Sequence, residues 1–328
     1  ITAIRNIRRD LFYSGINILG LAIGMSCSIL IMLWVYDEVS YDQFHENSNL
    51  IYRTIAKLPQ SDVPVGPMPL AKSLKEEYPE IEEACRLQVN QEVNVTVGEN
   101  QFKNIGGLIT DPDFFKIFSF KILRAQSDSL LANMNEVILT KSLAKKLYGD
   151  EDPIGQSLTL NIDDEYMVTA IMEDVPSNSH IKFDFVINIL SIDGLRHRAE
   201  DWGTFMCFPY IKINPETNID TLKKKVQHHY TKIFGDEAQI GDLGLQSLND
   251  IHLKSSNLQE LYANIGDIKY VRIFTIVSIF ILIIACINFM NLSTAKATKR
   301  LTDVGIRKVV GARRSQLIAQ YLGESLFI

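Results

Sequence analysis

Cysteine is scarce in this 328-residue chain, four in all, and no two are spaced as CxxC. That excludes a zinc ribbon or a thioredoxin-like redox motif, and no His-rich or Cys/His cluster takes its place. Also missing is a GxxxxGK[ST] loop, and the Gly106–Gly107 pair follows no phosphate-binding fingerprint. If ATP drives this protein, another chain binds it. Charge is the third absence. Residues 11–36 and 273–295 contain none, and each run reaches the roughly 20 apolar residues that a membrane-spanning helix needs.

The flanks orient these runs. Arg5, Arg8 and Arg9 precede the first, while Lys296, Lys299, Arg300, Arg307, Lys308, Arg313 and Arg314 follow the second. Between them, residues 37–270 hold 36 acidic against 22 basic side chains, a difference of −14. Positive flanks stay cytoplasmic, so both ends face inward and the central block lies outside, with Trp34, Tyr36 and Tyr41 suited to the interfacial belt. The first run is long for a cleaved signal, and no small-residue cleavage site follows Tyr36.

The expected order is a cytoplasmic flank (1–10), a first span (11–36), an external domain (37–270) and a second span (271–295). A cytoplasmic basic region (296–316) and the start of a third span (317–328) follow. Opening on Ile1 and closing inside an apolar stretch, the chain reads as a fragment with at least one further span missing.

Within the external block, Asn47–Asn49 read as a turn before a strand at Ile51–Leu58. Gly66, Pro67 and Pro69 lead into a helix at Leu70–Tyr78, and alternating valines make Leu87–Val97 a strand. Asp111 reads as the N-cap of an aromatic-rich helix over 111–118, with Pro112 at its first position. Thr140 caps a second helix that closes at Gly149. Strands are expected near Ser157–Ile162, Tyr166–Ile171, Cys207–Ile213 and Leu243–Ser247, with a helix over Asp220–Phe234. The fold class is therefore membrane α-helical spans plus an α+β extracytoplasmic domain. Two flanking strand–helix–strand units carry an inserted α+β subdomain at about 104–204.

The chemistry-bearing residues form no catalytic constellation. His45, between Phe44 and Glu46, reads as a turn hydrogen-bonder. His228 and His229 read as a solvated helix face beside Lys223–Lys225. Asp163, Asp164 and Glu165 lack the spaced ligands and turn glycine of a calcium loop. His180 and Asp184 resemble a base and its orienter but have no nucleophile motif such as GxSxG. Phe114, Phe115, Phe118 and Phe120 read as core. Cys27 and Cys286 fall in the spans, while Cys85 and Cys207 lie outside, where pairing stays open. No cofactor, metal or nucleic acid is implied.

The most informative segment is DVGIRKVVGARRSQLIAQYLGES, residues 303–325. Gly305 and Gly311 bracket a short cationic block. Anionic lipid would be satisfied by charge alone, whereas glycine costs helix stability unless a turn or close packing needs it. The block is therefore expected to dock on a cytoplasmic partner, with membrane lipid as the alternative.

This segment resembles the signature that follows the second span of FtsX-like/MacB-like ABC transporter permeases. IRNIRRDLFYSGINILGLAIGMSCSILI resembles their first span in bacterial members, especially of Bacteroidetes type. DQFHENSNLIYR, DPDFFKIFSF, AKKLYGDEDPIGQSL and VPSNSHIKFDF resemble their periplasmic core domain. The resemblance covers nearly the whole chain, with Asp303 standing where the family often has Glu.

It implies a multi-pass permease subunit of the bacterial inner membrane, with no catalysis of its own and a separate ABC ATPase subunit. It implies a homodimer or tandem-repeat partner, and leaves room for a periplasmic adaptor or outer-membrane protein. The residues contacting the ATPase would be Val304, Gly305, Ile306, Arg307, Lys308, Gly311 and Ala312. Relatives turn ATP-driven closure into periplasmic motion that expels lipoproteins, drugs or peptides, or that activates wall hydrolases. A signalling receptor with an external sensor is the alternative, but its second span would continue into a long helical relay such as a heptad coiled coil.

Overall fold

The computed structural model describes residues 11–58, 61–161, 164–235, 241–258 and 264–309. They fall into two compact units. One holds the described residues up to Asp37 and from Lys269, the other Glu38–Ile268.

The chain opens with helix α1, Leu11–Val39. The external unit follows with β1 (Ile51–Lys57), the short β2 (Asp62–Val63) and β3 (Gly66–Pro67), α2 (Leu70–Glu77), β4 (Ile81–Val97) and β5 (Asn100–Thr110). Next come α3 (Phe114–Ile117), β6 (Ile122–Ala125), β7 (Glu136–Thr140), α4 (Lys141–Tyr148), β8 (Ser157–Leu160), β9 (Asp164–Met172) and β10 (Phe185–Asn188). The unit closes with α5 (Asp193–Arg196), β11 (Phe205–Ile213), α6 (Ile219–Gln227), α7 (His229–Phe234), β12 (Leu243–Ser247) and α8 (Leu248–Lys254). Helix α9, Ile268–Val309, leads out of it.

The twelve strands among the described residues belong to one sheet, with the order β12-β1-β11-β4-β5-β10-β7-β9-β6 along its path. Pairing is antiparallel through β12, β1, β11, β4 and β5, then parallel between β5 and β10 and between β7 and β9. The expected subdomain boundary at residue 104 falls inside β5, whose pairing with β4 runs from Val97↔Asn100 to Leu87↔Thr110. Long β-hairpin pairing carries the sheet straight across that boundary.

Period-2 alternation sorts side chains onto two faces. In β10, Phe185 and Ile187 join a core with Leu143 and Leu147 of α4, while Val186 joins the opposite one. That opposite core holds Phe114, Phe118 and Phe120 with Leu248 and Ile251 of α8. Leu70 and Leu74 of α2 pack with Leu222, Val226 and Tyr230 of α6 and α7 in a third. Cys85 and Cys207 belong to different cores, and Tyr210 stands opposite Cys85 in register, so both thiols remain free.

Several local signals act as expected. The Thr140 side chain accepts from Leu143 N–H, and Gly149 closes α4 at φ 65°. Asp111 does not cap α3. Its carboxylate instead takes Arg86 Nε at 2.9 Å, Arg86 Nη2 at 2.6 Å and the Arg86 N–H at 2.8 Å, because a two-pronged charged partner outweighs one capping bond. The expected helix over 220–234 breaks at His228 into α6 and α7. His229 is buried rather than solvated, with Ser73 Oγ at 3.1 Å and Tyr78 Oη at 3.2 Å from its ring nitrogens.

Candidate functional site

The membrane unit is built on small residues. Gly20, Gly24 and Ser28 recur every four residues and so share one face of α1. Facing them are Asn288, Ala285 and Ser278 of α9. A Cβ built on Gly24 would stand 2.6 Å from Ala285 Cβ, so the backbones approach as closely as glycine permits. The Ser28 and Ser278 hydroxyls lie 2.7 Å apart, and each is also within reach of the other's carbonyl, at 3.2 and 3.1 Å, so two protons are shared among three contacts. In hydrocarbon, where burying apolar surface gives no advantage, such small-residue contact and hydrogen bonding is what holds helices together. Leu19, Ile23, Leu30 and Ile284 turn away from the seam and are each more than 60% exposed, as lipid-facing side chains would be. Neither uncharged run holds Asp, Glu, His, Lys or Arg.

Helix α9 does not stop where its apolar stretch ends. The span-length window covers Ile268–Asn291, yet the helix continues unbroken to Val309. The expected boundary at 295/296 therefore lies inside it, and so does Gly305, which leaves close packing, of the turn or close packing expected there, as the reason for that glycine. One glycine costs a helix interior about 1 kcal/mol, too little to break a ladder flanked by residues that sustain it. Of the expected docking residues, Val304, Gly305, Ile306, Arg307 and Lys308 lie in the last two turns of α9, while Gly311 and Ala312 fall outside the described residues.

In the external unit, three of the sequence motifs converge on one buried polar knot. Asp42, at φ 60°, follows three residues after α1. Its Oδ1 accepts the His180 N–H at 3.1 Å and stands 2.8 Å from His180 Nδ1, an ion-pair distance although off the hydrogen-bond direction. His180 Nε2 meets Tyr210 Oη of β11 at 2.8 Å. Asp42 N–H donates to Asn178 O at 2.9 Å, and Asn178 Nδ2 donates to Ser40 O at 3.0 Å. The His45 main chain bonds within its own turn, its N–H donating to Asp42 O at 3.3 Å and its carbonyl accepting from Ser48 N–H at 3.1 Å, while its Nδ1 accepts the Ser119 N–H at 3.0 Å, 74 residues on.

Burial alone would raise the Asp42 carboxyl, but the adjoining His180 ring and its hydrogen bonds hold it below the ordinary value. Burial pushes the His45 ring down to about 4, more than nearby Asp42 lifts it. An unfolded ring takes its proton near 6.5, so between those values the unfolded chain binds more protons and acid favours unfolding. The external unit is expected to lose about 3 kcal/mol of stability as pH falls from 6.5 to 4, with no further loss from this group below. Thermal melts across that range check this, and His45→Gln should flatten the slope.

The other candidates resolve structurally. Asp184 Oδ2 accepts the Gly106 N–H at 2.9 Å and is not the partner of His180. Gly107 is required by packing, since a Cβ there would stand 2.5 Å from Phe185 Cζ. Phe114, Phe118 and Phe120 are buried against one another and Phe183. β8 and β9 pair antiparallel through Leu160↔Asp164 and Thr159↔Glu165, so Asp164 and Glu165 open a strand, while Asp163 lies outside the described residues. The small-residue seam went unread in sequence, although the four-residue spacing of Gly20, Gly24 and Ser28 was its signal.

The family model described as the MacB-like periplasmic core domain matches residues 14–229, and that of the FtsX-like permease C-terminal matches 275–328. A macrolide export ATP-binding/permease protein MacB of Chromobacterium violaceum is 22% identical over 66% of this chain and 32% of its own length. The uncharacterized ABC transporter permease YknZ of Bacillus subtilis is 25% identical over 61% of this chain and 47% of its own. A pyoverdine export ATP-binding/permease protein PvdT of Pseudomonas syringae is 21% identical over 97% and 47%. The chain thus spans less than half the length of these relatives. A solved domain from Porphyromonas gingivalis, described as that of a permease protein, superimposes with TM-score 0.55 at 19% identity, covering 66% of this chain and 95% of that one.

Proposed function

This chain belongs to the MacB-like, FtsX-like family of ABC transporter permeases, and from that premise we propose that it converts ATP-driven motion of a partner into displacement of its external domain. The observation that carries this reading is the length of α9. Its 42 residues reach about 60 Å, twice the thickness of a bilayer core, as one helix. One end meets the external unit at Ile268 and the other carries Arg307 and Lys308. A push on the cationic end therefore reaches the external end without crossing a joint.

In this reading the ATPase is a separate subunit that contacts Val304, Gly305, Ile306, Arg307, Lys308, Gly311 and Ala312. The permease works as a homodimer or tandem repeat in the bacterial inner membrane, with residues 37–270 periplasmic and an adaptor or outer-membrane protein beyond. The frame of the external domain is the interleaved pair of strand–helix–strand units, β1–α2–β4 and β11–α6–α7–β12, with β5 to β10 inserted. The cargo is a lipoprotein, drug or peptide, exported or extracted without entering a polar channel.

Purification of the intact protein in mild detergent, followed by mass spectrometry, tests the partnership. The native protein is expected to retain an ATPase, and the double variant Arg307→Glu/Lys308→Glu to lose most of it. Equal recovery with both proteins would remove the docking role, and no ATPase with either would remove the mechanism.

A further inference from the structure

Two segments tie the external unit to the membrane helices, and one histidine holds both. Glu38 is the penultimate residue of α1 and Tyr41 follows it, while Asn264 and Gly266 precede the start of α9. His252 of α8 lies among them, only 3% exposed. Its Nε2 is 2.8 Å from Glu38 Oε2 and its Nδ1 is 2.7 Å from the Asn264 carbonyl oxygen. The Tyr41 ring stacks on the imidazole, centroids 3.4 Å apart and planes within 4°, and Asn264 Nδ2 donates to Tyr41 Oη at 3.0 Å.

Gly266 closes the arrangement. Its N–H donates to His252 O at 2.8 Å, and a Cβ there would stand 2.7 Å from Glu38 Oε2 and 3.1 Å from His252 Nε2. The atoms in the way are side-chain ends, so the segment lies this close to the Glu38 and His252 side chains themselves. One partner is a carbonyl oxygen, which only accepts, and the other a carboxyl group, which accepts at both oxygens when ionised, so with Glu38 ionised each ring nitrogen donates. The support beneath is firm. Leu248 and Ile251 set α8 in the aromatic core, and Arg53 of β1 donates to Ser255 Oγ at 2.9 Å just beyond α8.

We propose that His252 is a positioning residue which, as an imidazolium, locks the exit from α1 and the approach to α9 onto the domain core as one piece. This rests on the reading that the membrane helices drive the domain, and it says how their motion arrives. With the clasp closed, the two connections deliver one displacement. With it open, each becomes an independent tether whose slack absorbs the motion.

Two measurements on the intact protein in detergent test this. Ring-nitrogen spectra with labelled histidine, assigned by the loss of one signal in His252→Gln, are expected to show both His252 nitrogens protonated. Glu38→Gln should convert that ring to the neutral form. A neutral ring in the native protein overturns the clasp, without need of ATP or a partner.

In the complex with its ATPase, His252→Gln is expected to keep ATP hydrolysis but lose most of the ATP-driven change in hydrogen exchange over residues 38–268. In that background a disulfide between Glu38→Cys and Gly266→Cys, with Cys27 and Cys286 replaced by serine, should restore the change. An unaltered response in His252→Gln, or a disulfide that blocks instead of restoring, overturns the positioning role. A native complex with no ATP response defeats the wider mechanism, while the ring spectra still decide the clasp.

Discussion

The Gly24→Leu variant is expected to separate the two membrane helices and abolish any function that depends on their moving together. A bare Cβ at this position already stands 2.6 Å from Ala285 Cβ, well inside contact distance. Leucine adds three further carbons, so the backbones must part by more than an ångström. Parting them also breaks the Ser28–Ser278 pair, whose hydroxyls bond across the same seam one turn along. Overpacking of this kind costs about 1–3 kcal/mol, and each lost interhelical hydrogen bond about 0.6 more. Crosslinking between Ser28→Cys and Ser278→Cys, with Cys27 and Cys286 replaced by serine, reads the separation. The bridge should form readily with Gly24 present and fall to background with Gly24→Leu. Efficient crosslinking in both would show that the seam does not hold the pair.

The second large effect is expected from Asp42→Asn. Asparagine tolerates the left-handed backbone that Asp42 adopts at φ 60°, so the substitution isolates the charge. Both Asp42 and His180 are fully buried, and removing one member of a buried pair leaves the other without compensation. The loss is about 3 kcal/mol or more, a fall in melting temperature of roughly 10 °C for a unit of this size. Because the knot joins residues 40–45 to the segments at 119 and 178–180, its loss should also raise exchange at the Ser119 and His180 amides. A melt unchanged within a degree or two would mean that Asp42 is neutral or solvated in the folded protein.

Elements whose determinants are local were readable in sequence. The turn at Asn47–Asn49 before the strand at Ile51–Lys57, the Thr140 cap with Gly149 behind it, and the valine alternation in β4 all use neighbouring residues. What escaped reading depends on partners far along the chain. β5 contains Gly106 and Gly107, which locally look like a breaker. Their purpose appears only against Phe185 and Asp184, on or beside a strand almost eighty residues later. Asp111 has the spacing of a cap, but Arg86 outbids the helix for its carboxylate. Asp42 and His180 are separated by 138 positions, so no spacing rule links them. The apolar limits of the second span were clear, yet hydropathy does not say where the helix ends, and α9 runs 18 residues past its apolar window. In the reverse case, the Gly20–Gly24–Ser28 spacing was present and local but went unused.

Transmission through α9 requires that it stay one unbroken helix, which a proline in its extension would prevent. Position 297 lies beyond the apolar window and before the cationic end, so Ala297→Pro breaks the rod between them. The measurement is hydrogen exchange over residues 38–268 in the reconstituted complex, with and without ATP. The native protein is expected to show an ATP-dependent change in the external domain. Ala297→Pro is expected to keep its ATPase bound and hydrolysing while that change disappears. An undiminished response across the broken helix would contradict transmission through α9.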